Sequence, residues 1–123
     1  MNTKNKVFHL SSCGTCRKII AALRLEQQCE LQNIKTNPIS EEELDWAAVQ
    51  TGSYESLFSR KAIKYREMGL NQQDLQESDY RRLILSDYSF LKRPVMFLDG
   101  TVFAGNAEKT IEAAGEKLKT VNG

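Results

Sequence analysis

Lys6-Val-Phe-His-Leu-Ser-Ser-Cys-Gly-Thr-Cys-Arg-Lys-Ile-Ile20 is the stretch whose reading decides the fold. Val7-Phe8-His9-Leu10 is a short apolar run and predicts a buried strand. Ser11 and Ser12 turn the chain, Cys13-Gly14-Thr15-Cys16 follows, and an amphipathic helix begins there. Strand, tight turn, Cys-x-x-Cys and helix start are the layout of a thiol redox motif. The layout is also a chemical device. The unpaired N–H groups at a helix start, and the positive end of its dipole, stabilise an anion placed there. Cys13 falls at or just before the first turn, so its thiolate is the favoured anion. Arg17, and Lys18 more distantly, add positive charge. Such settings lower a cysteine pKa from about 8.5 into the range of roughly 3.5–7.5. A drop of about two units is worth about 2.7 kcal/mol and makes the thiolate the majority form at neutral pH.

A Cys-x-x-Cys pair can also be half of a zinc site, or a coincidence of sequence. Structural zinc takes four ligands. Only Cys29 and His9 remain to complete a set. His9 lies inside the strand, and no second Cys-x-x-Cys exists. The pair therefore reads as a reactive thiol centre with no metal.

The 123 residues are enough for one domain with its own core. With 41% hydrophobic and 27% charged residues, the composition is that of a soluble globular protein. A net charge of +1 gives no electrostatic case for direct nucleic-acid binding. No apolar run approaches a membrane span. The polar start Met1-Asn-Thr-Lys-Asn-Lys6 leads straight into the strand, and no signal peptide is expected. Three cysteines, an odd number, argue against a secreted disulfide scaffold. A reducing cytoplasm is the expected setting, where a Cys13–Cys16 disulfide would be transient.

From Lys6 the pattern predicts a strand to about Ser11, then a helix from Cys13 or Thr15 to Leu25. Ile19, Ile20, Leu23 and Leu25 form its imperfect apolar stripe. Glu30-Leu-Gln-Asn-Ile34 alternates and reads as a second strand, parallel to the first because a helix separates them. Cys29 at its start reads as a small filler, the other option being a resolving thiol. Ser40-Glu-Glu-Glu43 is a capping box for a helix ending near Gly52. A helical turn is expected over Tyr54–Phe58, then a helix over Ala62–Met68 stopped by Gly69. A further helix, capped by Ser78, runs to about Tyr88. Residues from about 38 to 92 thus read as a helical insertion. Val95–Leu98 is a strong buried strand. Asp99-Gly100 has type I′ turn chemistry, and Thr101–Ala104 returns antiparallel. Asn106 is placed as the cap of a last helix to about Val121. The class is α/β. The order β-α-β, helical insertion, β-β-α resembles a thioredoxin-like, four-stranded mixed sheet in a single domain over residues 1–123.

The anchors Cys13-Gly14-Thr15-Cys16-Arg17, Leu57-Phe58-Ser59-Arg60-Lys61, Met68-Gly69-Leu70, Lys92-Arg93-Pro94 and Phe103-Ala104-Gly105-Asn106 carry a more specific likeness. The chain resembles the arsenate reductase (ArsC) family, which includes glutaredoxin-coupled arsenate reductases, the Spx regulators and YffB-like reductases. The resemblance covers nearly the whole chain. It implies Cys13 as nucleophile. His9, four residues earlier, stands where the arsenate-reducing branch has a histidine that helps keep the cysteine a thiolate. Arg60 and Arg93 match two of that branch's three oxyanion-binding arginines. A guanidinium suits that role because it stays charged and donates paired hydrogen bonds. The resemblance also implies a cis peptide bond before Pro94. Two departures stand out. The place of the third arginine is Gly105, as in the Spx and YffB-like branches. Cys16 replaces the serine usual in glutaredoxin-coupled reductases and is placed to resolve an oxidised Cys13 internally, as in Spx.

Two functions follow from the resemblance. In the first, an oxidoreductase, Cys13 attacks arsenate, a disulfide or a glutathione adduct. Arg60 and Arg93 hold the anion, and the backbone from Gly14 through Thr15 to Arg17 donates N–H groups beside Pro94. Cys16 or glutathione then displaces the product. No bound cofactor is expected; glutathione with glutaredoxin, or thioredoxin, supplies the electrons. The second is an Spx-like regulator that binds RNA polymerase and senses oxidation through Cys13 and Cys16.

Overall fold

A computed structural model of the protein describes residues 5–122. The polar leader Met1–Lys4, where no signal peptide was expected, lies outside the described residues. The chain divides into two compact units, one of residues 39–92 and one of the residues that flank them.

The flanking unit is built on a four-stranded sheet in the order β2-β1-β3-β4, with β1 at Lys6–His9, β2 at Glu30–Asn33, β3 at Val95–Leu98 and β4 at Thr101–Ala104. β1 runs parallel to β2 and antiparallel to β3, and β3 is antiparallel to β4. The sheet is therefore mixed, as the βαβ and hairpin patterns predict. All four residues of β3 are buried, which explains its unbroken apolar run. Asp99 and Gly100 join β3 to β4 at φ 49 and 80, the left-handed pair that a type I′ turn requires. The Asp99 N–H donates to Asn5 Oδ1 at 2.8 Å, tying the turn to the entry of β1.

Helix α1 spans Gly14–Leu23 and the long helix α6 spans Glu108–Asn122. Both pack on one sheet face, where Val7, Met96 and Leu98 meet Ile19, Leu25, Ala114 and Leu118. Burying each such aliphatic side chain is worth about 1.5–3 kcal/mol. On the other face Phe8 and Phe97 meet edge to face, with centroids 4.9 Å apart.

The first helix ends earlier than its sequence pattern suggests. Arg24 takes the left-handed conformation at φ 53 and ψ 43, and a short helix α2, Leu25–Gln28, restarts after it. The imperfect stripe gives the reason. At about 100° per residue, Leu25 would sit about 120° away from Ile19 on an unbroken helix. The break lets both enter one core, Leu25 at 0% exposure. Gln28 Nε2 donates to the Leu23 and Arg24 carbonyls freed by the break.

In residues 39–92, α3 spans Glu41–Thr51, α4 Ile63–Glu67 and α5 Glu77–Ser86. The capping box at Ser40 is formed: Glu43 N–H donates to Ser40 Oγ at 3.1 Å and Ser40 N–H to Glu43 Oε1 at 3.0 Å. Gly52 closes α3 at φ 98, and Gly69 follows α4 at φ 67. Phe58 is an aromatic hub, 4.9 Å from Tyr80, 5.3 Å from Phe90 and 5.9 Å from Tyr65 between centroids. Two assigned caps move. α5 is capped at Gln76, whose N–H donates to Asp79 Oδ2 at 2.8 Å, while Ser78 lies inside the helix. The first carbonyl of α6 to accept is that of Ala107, from Ile111 N–H, so Asn106 stands one residue outside. A three-residue reach back from a carboxylate fixed the first cap, and a serine nearer the apolar run concealed it.

Candidate active site

β1 delivers the chain to Leu10, and the Cys13 N–H donates to the Leu10 carbonyl at 2.9 Å, closing the turn. Cys13 then serves as the N-cap of α1 in an extended conformation, φ −86 and ψ 115, and its carbonyl accepts from Arg17 N–H at 3.1 Å. The thiol is half-buried. Partial burial pushes its pKa up, but the Cys16 N–H, the Cys16 thiol, the Thr15 N–H and the Arg93 charge together outweigh that, and Cys13 lies below an ordinary thiol. The side chain makes no full capping bond. The dipoles at the helix start act on the sulfur nonetheless.

Cys16, one turn on, is fully buried. Burial pushes its thiol up to about 11, with the hydrogen bond and charge of Cys13 adding to the rise, against a backbone contact at Leu10 and the Arg93 charge. The two sulfurs thus share a hydrogen bond, with the outer thiol more acidic and the inner one holding its proton.

Arg93 is half-exposed and its guanidinium acts on both thiols. The Arg93–Pro94 peptide is cis, as the resemblance implied. The Pro94 carbonyl accepts the Gly105 N–H at 2.8 Å, which brings the end of β4 beside this peptide. Gly105 itself sits at φ 95, a backbone that an arginine would adopt only under strain.

Gly14, Thr15 and Arg17 are exposed in the first turn of α1. A Cβ on Gly14 would meet Arg17 Nη2 at 4.0 Å, so the guanidinium folds back over that turn and space does not demand the glycine. His9 ends β1 opposite Asn33 and its carbonyl accepts from Ile34 N–H at 2.9 Å. Burial lowers the imidazole pKa, so the ring is neutral at neutral pH. Its Nδ1 is buried without a hydrogen-bond partner among the described residues. The principal influences on Cys13 do not include His9.

Arg60 belongs to residues 39–92, where its Nη2 donates to Glu55 Oε2 at 2.6 Å and to Tyr80 Oη at 2.9 Å. Its guanidinium also stands 5.7 Å from the Tyr80 ring centroid. Glu55 was not singled out in the sequence, where an acid five residues before Arg60 was the available signal, and Tyr80 reads there only as part of the apolar face of a helix. Cys29 packs against the core, and burial pushes its thiol up, which suits a filler better than a nucleophile. All three cysteines are free thiols. Among the described residues no three His, Cys, Asp or Glu side chains gather as a metal site, and no helix is long and apolar enough to cross a membrane.

Comparison with known proteins agrees with the fold. Residues 8–114 match the model of the ArsC family. The global transcriptional regulator Spx of Streptococcus pyogenes serotype M1 is 28% identical over 109 residues, covering 87% of this chain and 81% of that protein. Two solved structures share the fold. One is an arsenate reductase from Vibrio cholerae, with TM-score 0.73, 20% identity, and 90% and 98% of the two chains covered. The other is a Staphylococcus aureus COL protein, with TM-score 0.70, 26% identity, and 89% and 96% covered.

Proposed function

The chain belongs to the ArsC family, and on that premise we propose that it is a thiol-dependent oxidoreductase with Cys13 as nucleophile and Cys16 as resolving thiol. The observation that carries this reading is the opposite displacement of the two thiols: Cys13 lowered, Cys16 raised to about 11. The outer sulfur is the more acidic of the two and the first to attack, while the inner one holds its proton.

With a disulfide substrate, the Cys13 thiolate attacks one sulfur and the other leaves as a thiolate. Cys16 then gives up its proton and attacks Cys13 Sγ, releasing the second substrate thiolate and leaving a Cys13–Cys16 disulfide. Two electrons pass from the protein thiols to the substrate. Part of what holds the Cys16 proton is the hydrogen bond and charge of Cys13. Both vanish once Cys13 is in a mixed disulfide, so the first step itself makes the second thiol more acidic. With arsenate, Cys13 displaces a hydroxyl group as water. Attack by Cys16 or glutathione on Cys13 Sγ then breaks the S–As bond and leaves its electron pair on arsenic, now trivalent. Thioredoxin, or glutathione with glutaredoxin, returns the disulfide to thiols, and a reducing cytoplasm is the compartment such chemistry needs. Arg93 offsets the anion's charge beside Cys13; Arg60 and His9 enter this reading through the family resemblance.

The test is turnover of arsenate with glutathione and glutaredoxin, run beside disulfide reduction with thioredoxin. Cys13→Ser reduces both to background, and full turnover by that variant overturns the mechanism. Cys16→Ser slows the thioredoxin-coupled route, and added glutathione restores it.

The match to Spx supports a second reading, a redox-sensing regulator that binds RNA polymerase. A pull-down with polymerase, using the protein with Cys13 and Cys16 reduced and then oxidised, separates the two. Binding in neither state removes the regulator.

A further inference from the structure

The last register pair of the parallel strands β1 and β2 is His9 with Asn33, and beyond it both chains leave the sheet at the same edge. One enters the Leu10–Cys13 turn, the other a turn over residues 34–37. Asn33 anchors the second turn. Its carbonyl accepts the Thr36 and Asn37 N–H groups at 3.2 and 2.9 Å, and its Oδ1 accepts the Lys35 N–H at 3.3 Å. That last bond orients the amide and turns Nδ2 toward the first turn, where it donates to Ser11 Oγ at 3.1 Å. Ser11 lies in the turn that the Cys13 N–H closes on the Leu10 carbonyl at 2.9 Å. Ser11 and Ser12 are both exposed, so packing of their side chains holds this turn little. Cys13 caps α1 with no side-chain bond of its own, so the turn before it decides where its sulfur stands.

We propose that Asn33 is a positioning residue for the thiol chemistry: by holding Ser11 it fixes the Leu10–Cys13 turn, and with it the place of the Cys13 sulfur at the start of α1. The proposal rests on the reading of Cys13 as nucleophile. Asn33 acts on the sulfur only through Ser11. Residues 10–16 and 33–37 all lie in the unit built on the sheet. The Cys16 and Thr15 N–H groups that favour the Cys13 thiolate are hydrogen-bond donors, effective only at short range and near-linear angles. A turn that wanders weakens them first, while the sheet and α1 stay formed.

Asn33 is half-buried and Ser11 exposed, so the bond between them is a modest one. A neutral hydrogen bond of this kind corresponds to about a two- to fivefold effect. The experiment is alkylation of the full chain by iodoacetamide from acid to alkaline pH, followed at Cys13 by mass spectrometry, with urea unfolding of the same variants alongside. Asn33→Ala moves the midpoint of the pH profile upward and slows alkylation at neutral pH about two- to fivefold. Ser11→Ala does the same, and Ser11→Thr, which keeps the hydroxyl, keeps the native profile. The variant carrying both Asn33→Ala and Ser11→Ala loses no more than either alone, because all three lack the same bond. A profile unmoved by Asn33→Ala, with or without a lower urea midpoint, or losses that add in the double variant, overturns the proposal. Full turnover by Cys13→Ser would defeat the nucleophile reading separately, since the alkylation profile reports on the thiol itself.

Discussion

Cys13 and Cys16 are three positions apart on the same helix start, yet their environments push their protons in opposite directions. The half-exposed thiol meets N–H dipoles and Arg93; the buried one meets mainly lost hydration. Cys16 is raised from an ordinary 9.0 to about 11, so the fold favours its protonated form. That stabilisation is complete below pH 9, where the unfolded thiol is also protonated, and is lost as pH rises through 11. The loss amounts to roughly 2–3 kcal/mol. Urea unfolding measured from pH 8 to 11.5 should show a fall in stability steeper than that of Cys16→Ala by this amount, and parallel curves would contradict it. Cys13 works in the other sense: its lowered pKa stabilises the fold at high pH, and that contribution goes as pH falls through the folded value. Both cysteines were legible in the sequence, because Cys-x-x-Cys at a helix start is a local pattern, whereas Arg93 and the cis bond before Pro94 came from the family resemblance. That the His9 Nδ1 is buried without a partner among the described residues was not legible, because burial is settled by neighbours distant in sequence.

At the scale of the element, glycine and serine make separate contributions. Gly115 lies within α6, and a Cβ there would meet Leu23 Cδ2 at 3.5 Å, an ordinary contact. Gly115→Ala should therefore stabilise by about 0.5–1 kcal/mol through helix propensity, raising the melting temperature by a few degrees. A lower melting temperature would mean that α1 and α6 cannot accommodate one methyl group. Ser40 accepts the Glu43 N–H in the capping box, so Ser40→Ala should cost about 1 kcal/mol, read as a lower urea midpoint with unchanged slope. The box was visible as Ser-Glu-Glu-Glu because its partners are three residues apart. The break at Arg24 was not, since an arginine carries no left-handed preference. Only the need to bury both Ile19 and Leu25 places it there.

Across the whole molecule, the sheet is the frame that holds the thiols. Met96 is fully buried at its centre, opposite Val7 and Phe103, on the face shared by α1 and α6. Met96→Ala should cost about 2–5 kcal/mol in urea unfolding, through lost burial and the cavity left behind. A cost below about 1 kcal/mol would mean that the sheet face repacks freely. The strand order β2-β1-β3-β4 followed from two local rules, a parallel crossover and a tight hairpin, plus the pairing of β1 with β3. What the sequence by itself determined was local: strand, turn, Cys-x-x-Cys and helix start, the capping box at Ser40, the Asp99-Gly100 turn, and the residues that carry charge. Each depends on neighbours within a few positions, where propensity and hydrogen bonding act directly. The helix-start position also marked Cys13 as the thiolate, but only the tertiary structure decided that Cys16 is buried and holds its proton, that Arg93 acts on both thiols, and that Arg60 is already engaged by Glu55 and Tyr80. Desolvation and charge depend on distance in space, and that distance exists only once the chain has folded.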